Sequence, residues 1–171
     1  GALIYVSWTL GFVAKLYFSS GLDPGGRCLA LFLVAVTKLG DIGAFAAGTL
    51  TARRPGGNHK LVPTLSPKKS WEGLAGGVAA SLAGALLFVH CGREHFLLDG
   101  VPVLTYGNAA FFGVLFPLLG LIGDLAESAL KRAAGVKDSG RIPGLGGVLD
   151  VLDSLILVAP ALSALQGAGE R

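Results

Sequence analysis

Several apolar stretches, each about as long as a helix that crosses a lipid bilayer, constrain this chain more than any other feature. Five can be marked off, at about residues 2–19, 28–50, 73–91, 107–125 and 148–165. Hydrocarbon offers no partner to a backbone N–H or C=O, so a segment that crosses it must satisfy those groups itself, as a helix does. The expected fold is therefore all-α, a polytopic transmembrane helix bundle of about five spans. Composition agrees. Of 171 residues, 52% are hydrophobic and only 15% charged, whereas a soluble domain carries about 25% charged residues. The 27 glycines follow no collagen-like period. Gly73, Gly77, Ser81 and Ala85 recur every fourth residue, as do Gly76, Ala80 and Gly84. Small residues at that spacing let helix backbones approach closely, and the stripes are read as packing surfaces.

Charge placement sets the expected topology. Basic residues cluster at 53–69 and 131–141, in polar segments 51–72 and 126–147. With five alternating spans these two loops fall on one face, and their Lys/Arg excess makes that face cytoplasmic. The turn near Asp23 and the loop near residue 95 then lie outside. Cys28 and Cys91 approach that outer face, where a disulfide is conceivable but not implied; no CxxC suggests a thiolate metal site. The chain opens at Gly1 within an apolar run and without Met, as expected of a fragment that lacks earlier spans.

Acids inside apolar helices need a reason, since each costs roughly 2.5–3.5 kcal/mol at a helix centre. Lys15 in the first span must snorkel or face protein; Lys38 and Asp41 in the second must be paired or wet. Asp41, Asp124, Asp150 and Asp153 all approach the expected cytoplasmic face. Asp150 and Asp153 share one side of a helix, so their repulsion calls for protonation, a basic partner or a cation. Hard carboxylate oxygens suit Mg2+, and Asp124 from the preceding span could complete such a site. Lys131, Arg132, Lys137 and Arg141 lie between these acids. Metal beside Lys/Arg is the equipment of phosphoryl or nucleotidyl transfer. Pro143-Gly144-Leu145-Gly146-Gly147 then lets backbone N–H groups approach a phosphate. On the residues alone, a scaffold or an ion-coupled transporter remains the alternative.

The ordered run of Ser128, Lys131, Arg132, Lys137-Asp138-Ser139-Gly140, Pro143-Gly144-Leu145-Gly146-Gly147, Asp150 and Asp153-Ser154 resembles the signature of the phosphatidate cytidylyltransferase (CDP-diacylglycerol synthase) family. An upstream block agrees in the same order: Asp41, Gly43, Gly48, His59-Lys60 and Ser66-Pro67-Lys68-Lys69-Ser70-Trp71-Glu72-Gly73. The resemblance covers about residues 37–160. It implies transfer of a cytidylyl group from CTP to phosphatidic acid, giving CDP-diacylglycerol and pyrophosphate. It implies a Mg2+ site on Asp124, Asp150 and Asp153, and admits a K+ companion. Lys131 and Arg132 join these acids as catalytic residues. Substrate contacts fall to Asp41, Ser66, Lys69, Ser70, Lys137, Asp138, Gly146 and Gly147. It further implies membrane lipids as partners, a homodimer, no nucleic-acid partner, and a site facing the cytoplasm from the inner membrane. Residues 1–26 become an N-terminal span and outer turn, and 27–171 the catalytic transmembrane domain. Two positions depart from the family pattern: Leu145 stands where His is usual, and Val151 where Arg is usual. The longer Asp pattern of the CDP-alcohol phosphotransferases does not occur in the chain.

Overall fold

A computed structural model describes residues 24–92, 97–98, 101–102 and 104–133, together with Gly11, Ala14, Phe18 and Val158. Three long helices dominate: α1 (Pro24–Ala52), α2 (Trp71–Gly92) and α3 (Tyr106–Ala133). Between α1 and α2 lies an antiparallel hairpin of β1 (Lys60–Val62) and β2 (Ser66–Ser70). A smaller hairpin, β3 (Leu97–Leu98) with β4 (Val101–Pro102), lies between α2 and α3. Each long helix contains a segment long and apolar enough to cross a membrane: Arg27–Ala52, Trp71–Gly92 and Tyr106–Ala126. These are the second, third and fourth expected spans. The first and fifth lie outside the described residues, apart from the four isolated positions.

The helix ends explain where the expected boundaries shift. Helix α1 starts at Pro24 rather than near Cys28, because proline needs no N–H partner in a first turn and its φ already suits a helix. Ser70 caps α2, its Oγ accepting the Gly73 N–H at 3.1 Å. Thr105 caps α3 in the same way, accepting the Asn108 N–H at 3.3 Å. Helix α1 ends where the Asn58 amide donates to the Gly48 carbonyl at 3.0 Å, and Gly56 and Gly57 turn the chain at φ of 96° and 70°. Helix α3 runs on to Ala133. Residues 126–133 are thus helical rather than the start of a loop, and Lys131 and Arg132 lie on the helix. Residues 60–62 and 66–70 pair as strands within the expected polar loop. Neither change strains the chain, because both segments extend past the apolar stretches and escape the demand for lipid-facing helix.

Helix α2 packs against both α1 and α3, which touch each other less. The bundle has two unlike halves. Away from the β1–β2 hairpin the core is aromatic and aliphatic. Phe32 is fully buried and meets Phe88, Phe112 and Phe116 at ring separations of 5.8, 6.3 and 6.1 Å, all edge-on. Leu29, Leu33, Val36, Val89 and Val158 join the same cluster. Val158, from the expected fifth span, is thereby tied to this bundle. Thr37 is buried among these groups, with its hydroxyl satisfied by the Leu33 carbonyl at 2.7 Å.

Toward the hairpin, α1 and α2 meet backbone to backbone. A Cβ added at Gly76 would sit 2.9 Å from the Gly43 carbonyl oxygen and overlap the Ala47 methyl, and one at Gly77 would sit 2.9 Å from the Gly40 carbonyl oxygen. The stripes read from the sequence do face a helix: Gly73, Gly77, Ser81, Gly84 and Ala85 are all buried. Both cysteines are free thiols.

Three stability outcomes follow. Gly76→Ala forces α1 and α2 apart and should cost about 1–3 kcal/mol, seen as a clear fall in melting temperature of the detergent-solubilised protein. Gly107→Ala, whose new methyl among the described residues meets only Thr105 Oγ1 at 3.9 Å, should melt with the parent. Phe32→Ala should cost about 3–5 kcal/mol; a melt within error of the parent would refute the aromatic core.

Candidate active site

Where the helices reach the β1–β2 hairpin, they leave a cavity of about 480 Å³. Helical periodicity brings its walls together. Pro117, Leu121, Asp124 and Ser128 form one stripe of α3, and Asp41 and Phe45 lie one turn apart on α1. Helix α2 contributes Gly73, Leu74 and Gly77. The small residues of α2 therefore do more than pack, since their missing side chains also leave the space of the cavity.

Strand β2 supplies the cation. Lys68 is exposed, while Lys69 is half-buried and turned to the cavity. There the Lys69 ammonium donates to the Asp124 carboxylate, 55 residues further along the chain. The side chains retain only 23% and 32% of their accessible surface. Removing either member would leave a half-buried charge without its partner, which costs far more than the pair itself contributes. Across the cavity, the Lys38 ammonium donates to Asp41 at 2.9 Å. This answers the sequence expectation that both charges in the second span need company. Ser70 is buried at the strand end, its hydroxyl committed to capping α2.

Around the cavity the hairpin is tied down at several points. The His59 backbone N–H donates to both Glu72 carboxylate oxygens at 3.1 Å, and the His59 ring Nδ1 lies 2.6 Å from Oε1. A carboxylate only accepts, so Nδ1 carries the proton. The Trp71 N–H donates to the His59 carbonyl at 3.0 Å. At the turn, Arg132 of α3 donates to the Leu65 carbonyl at 3.0 Å.

The expected site residues divide into three groups. Asp41, Lys69, Ser70 and Asp124 come together on one cavity. Ser66 and Arg132 do not line it: Ser66 begins β2, and Arg132 holds the hairpin turn. Lys131 is placed on α3, but its side chain lies outside the described residues, as do Lys137, Asp138, Gly146, Gly147, Asp150 and Asp153. Of the expected metal ligands only Asp124 is described. Sequence reasoning placed Ser128 in the family-like run without a role at the site; it stands one helical turn beyond Asp124, and that spacing could have assigned it to the cavity. The same reasoning overlooked the Glu72–His59 contact, which joins residues 13 apart across a turn and carries no periodic signal.

The donors on the cavity are hard oxygens, from the carboxylates of Asp41 and Asp124 and the hydroxyls of Ser70 and Ser128. Such a set suits a hard divalent cation such as Mg2+, which prefers one or two carboxylates with water and phosphate oxygens.

The chain is similar to known proteins along most of its length. The sequence model of the cytidylyltransferase family matches residues 1–167. A phosphatidate cytidylyltransferase of Brucella suis biovar 1 is 43% identical over 160 residues, covering 92% of this chain and 54% of its own length. The Mycobacterium bovis protein of the same name is 38% identical over 159 residues, covering 92% of this chain and 46% of its own. That of Haemophilus influenzae is 38% identical over 147 residues, covering 82% and 46%. The chain thus spans about half the length of these curated relatives. With a match along nearly its whole length and a bundle of membrane-length helices, this chain belongs to the cytidylyltransferase family of transferases.

Proposed function

We propose that the full-length protein transfers the cytidylyl group of CTP to phosphatidic acid, giving CDP-diacylglycerol and pyrophosphate. The observation that carries this reading is the Lys69–Asp124 pair beside Asp41 and Ser70, on a cavity whose other walls include Phe45, Leu74 and Leu121. One side of that cavity suits phosphate and a cation; the other suits an acyl chain. The relatives' shared name, phosphatidate cytidylyltransferase, supports the same substrates.

In this reading a phosphate oxygen of phosphatidic acid attacks the α-phosphorus of CTP. A new P–O bond forms, and the bond from that phosphorus to the bridging oxygen of pyrophosphate breaks. The phosphomonoester is already an anionic nucleophile, so no side chain need be cytidylylated. Lys69 would bind a phosphate oxygen as Asp124 releases it, and Lys38 would keep its contact with Asp41. Asp124, with Asp150 and Asp153, would hold Mg2+. The ion would screen the repulsion between two anions and the charge on the leaving pyrophosphate. Lys131, Arg132 and Lys137 would bind the triphosphate, and positioning would do the rest. Exposed Arg53, Arg54, Lys60 and Lys68 gather around the hairpin end, which favours a site opening to the cytoplasm from the inner membrane.

Purified full-length protein in mixed micelles should convert labelled CTP and phosphatidic acid to CDP-diacylglycerol. Asp124→Asn, Asp150→Asn and Asp153→Asn should each lower turnover at least a hundredfold at normal expression. Lys69→Ala should lower kcat/KM at least tenfold. Wild-type turnover in Asp124→Asn would refute the role given to that carboxylate. Chelation by EDTA should stop the reaction and added Mg2+ should restore it; turnover indifferent to EDTA would refute the metal assignment.

A further inference from the structure

Glu72 does not line the cavity, yet it holds the strand that supplies Lys69. The β1–β2 ladder is short, three residues against five, and its register is irregular between Lys60 and Val62. A two-stranded ribbon of that size is marginal by itself. Its weak end is the one that matters, because Lys60 pairs with Ser70 there, next to Lys69. At that end Glu72 accepts the His59 N–H on both oxygens and meets the ring Nδ1, while the Trp71 N–H donates to the His59 carbonyl. The main chain of His59, one residue before β1, is therefore held through both its N–H and its C=O by the first two residues of α2. Bonds to an ionised carboxylate are roughly twice as strong as neutral ones. The His59 ring itself is 87% exposed, so the contact is not a by-product of burial. Arg132 holds the opposite, turn end of the hairpin through the Leu65 carbonyl. Lys69 lies on the strand between these two ties.

We infer that Glu72 is a positioning residue: by clamping His59 it sets the hairpin register that delivers Lys69 to Asp124 and to the bound phosphate. The clamp sits at the first turn of α2, so it also couples the hairpin to the helix that Ser70 caps. Loss of its charge loosens the end of β2, and Lys69 then spends more time away from Asp124. The role in turnover rests on the cytidylyl-transfer reading; the placement of Lys69 does not.

The experiment uses the full-length protein and has two arms. In the first, lysines are acylated with a trace of acetic anhydride, and the labelling of Lys69 is divided by that of Lys68, its outward-facing neighbour, using peptide mass spectrometry. Glu72→Gln should raise this ratio at least threefold at an unchanged elution profile, and His59→Ala should raise it less. In the second, kcat/KM is measured in a double-mutant cycle. Glu72→Gln should lower it about tenfold in the parent and less than twofold in Lys69→Ala, because a residue that acts through Lys69 has nothing left to position. General destabilisation would instead subtract equally in both backgrounds. An unchanged labelling ratio in both Glu72→Gln and His59→Ala overturns the inference, as does an equal loss in both backgrounds. A parent protein without CTP turnover overturns the proposed reaction, and the labelling arm alone then decides the clamp.

Discussion

An ammonium and a carboxylate brought together at the end of an apolar bundle define this molecule. Lys69 and Asp124 come from a strand and a helix far apart in the chain, and each is half-buried. Neither is well placed alone, since a partly desolvated charge without a counter-charge is expensive. Their meeting requires that β2 lie against α3, which requires a hairpin docked across the helix ends. Lys38 and Asp41 solve the same problem within one helix, three residues apart. Local pairing needs no tertiary structure, whereas the Lys69–Asp124 pair depends on nearly all of it.

The two halves of the bundle divide the labour accordingly. Phe32 and its aromatic neighbours fill one half with large side chains, and such packing resists rearrangement. Gly40, Gly43, Gly76 and Gly77 bring α1 and α2 together in the other half without filling it. Room is left for a cavity beside Gly73, Gly77 and Pro117. A rigid aromatic half thus supports a half whose emptiness is useful. The same glycines that permit close helix contact keep side chains out of the space where a substrate would lie.

The hairpin connects this scaffold to chemistry. It is too short to hold itself, and it is held by contacts from both sides: Glu72 and Trp71 of α2 on His59, Arg132 of α3 on Leu65, and the Asn58 amide on the end of α1. Arg132, a basic residue at the end of α3, serves as a strut to the hairpin turn. Its guanidinium offers five N–H donors, so a carbonyl at one edge leaves donors for an anion at another.

Much of this could be read from residues in order. Apolar length called for membrane helices, and the small-residue stripes of α2 named the face it buries. The cost of charge in lipid singled out Asp41 and Asp124, and the ordered motifs named the family. The β1–β2 hairpin could not be read, because Ser66-Pro67-Lys68-Lys69-Ser70 has little strand propensity and pairs only where α2 and α3 hold it. Nor could the extension of α3 to Ala133, since polar residues past an apolar stretch fit helix and loop alike. The sequence by itself determined that the second, third and fourth apolar stretches are helical and which charged residues within them needed partners. Tertiary structure decided that Lys69 rather than Lys68 faces Asp124, that Ser128 joins the cavity and that Glu72 grips His59. Those outcomes depend on strand register and helix rotation, which a linear pattern does not specify until the elements pack.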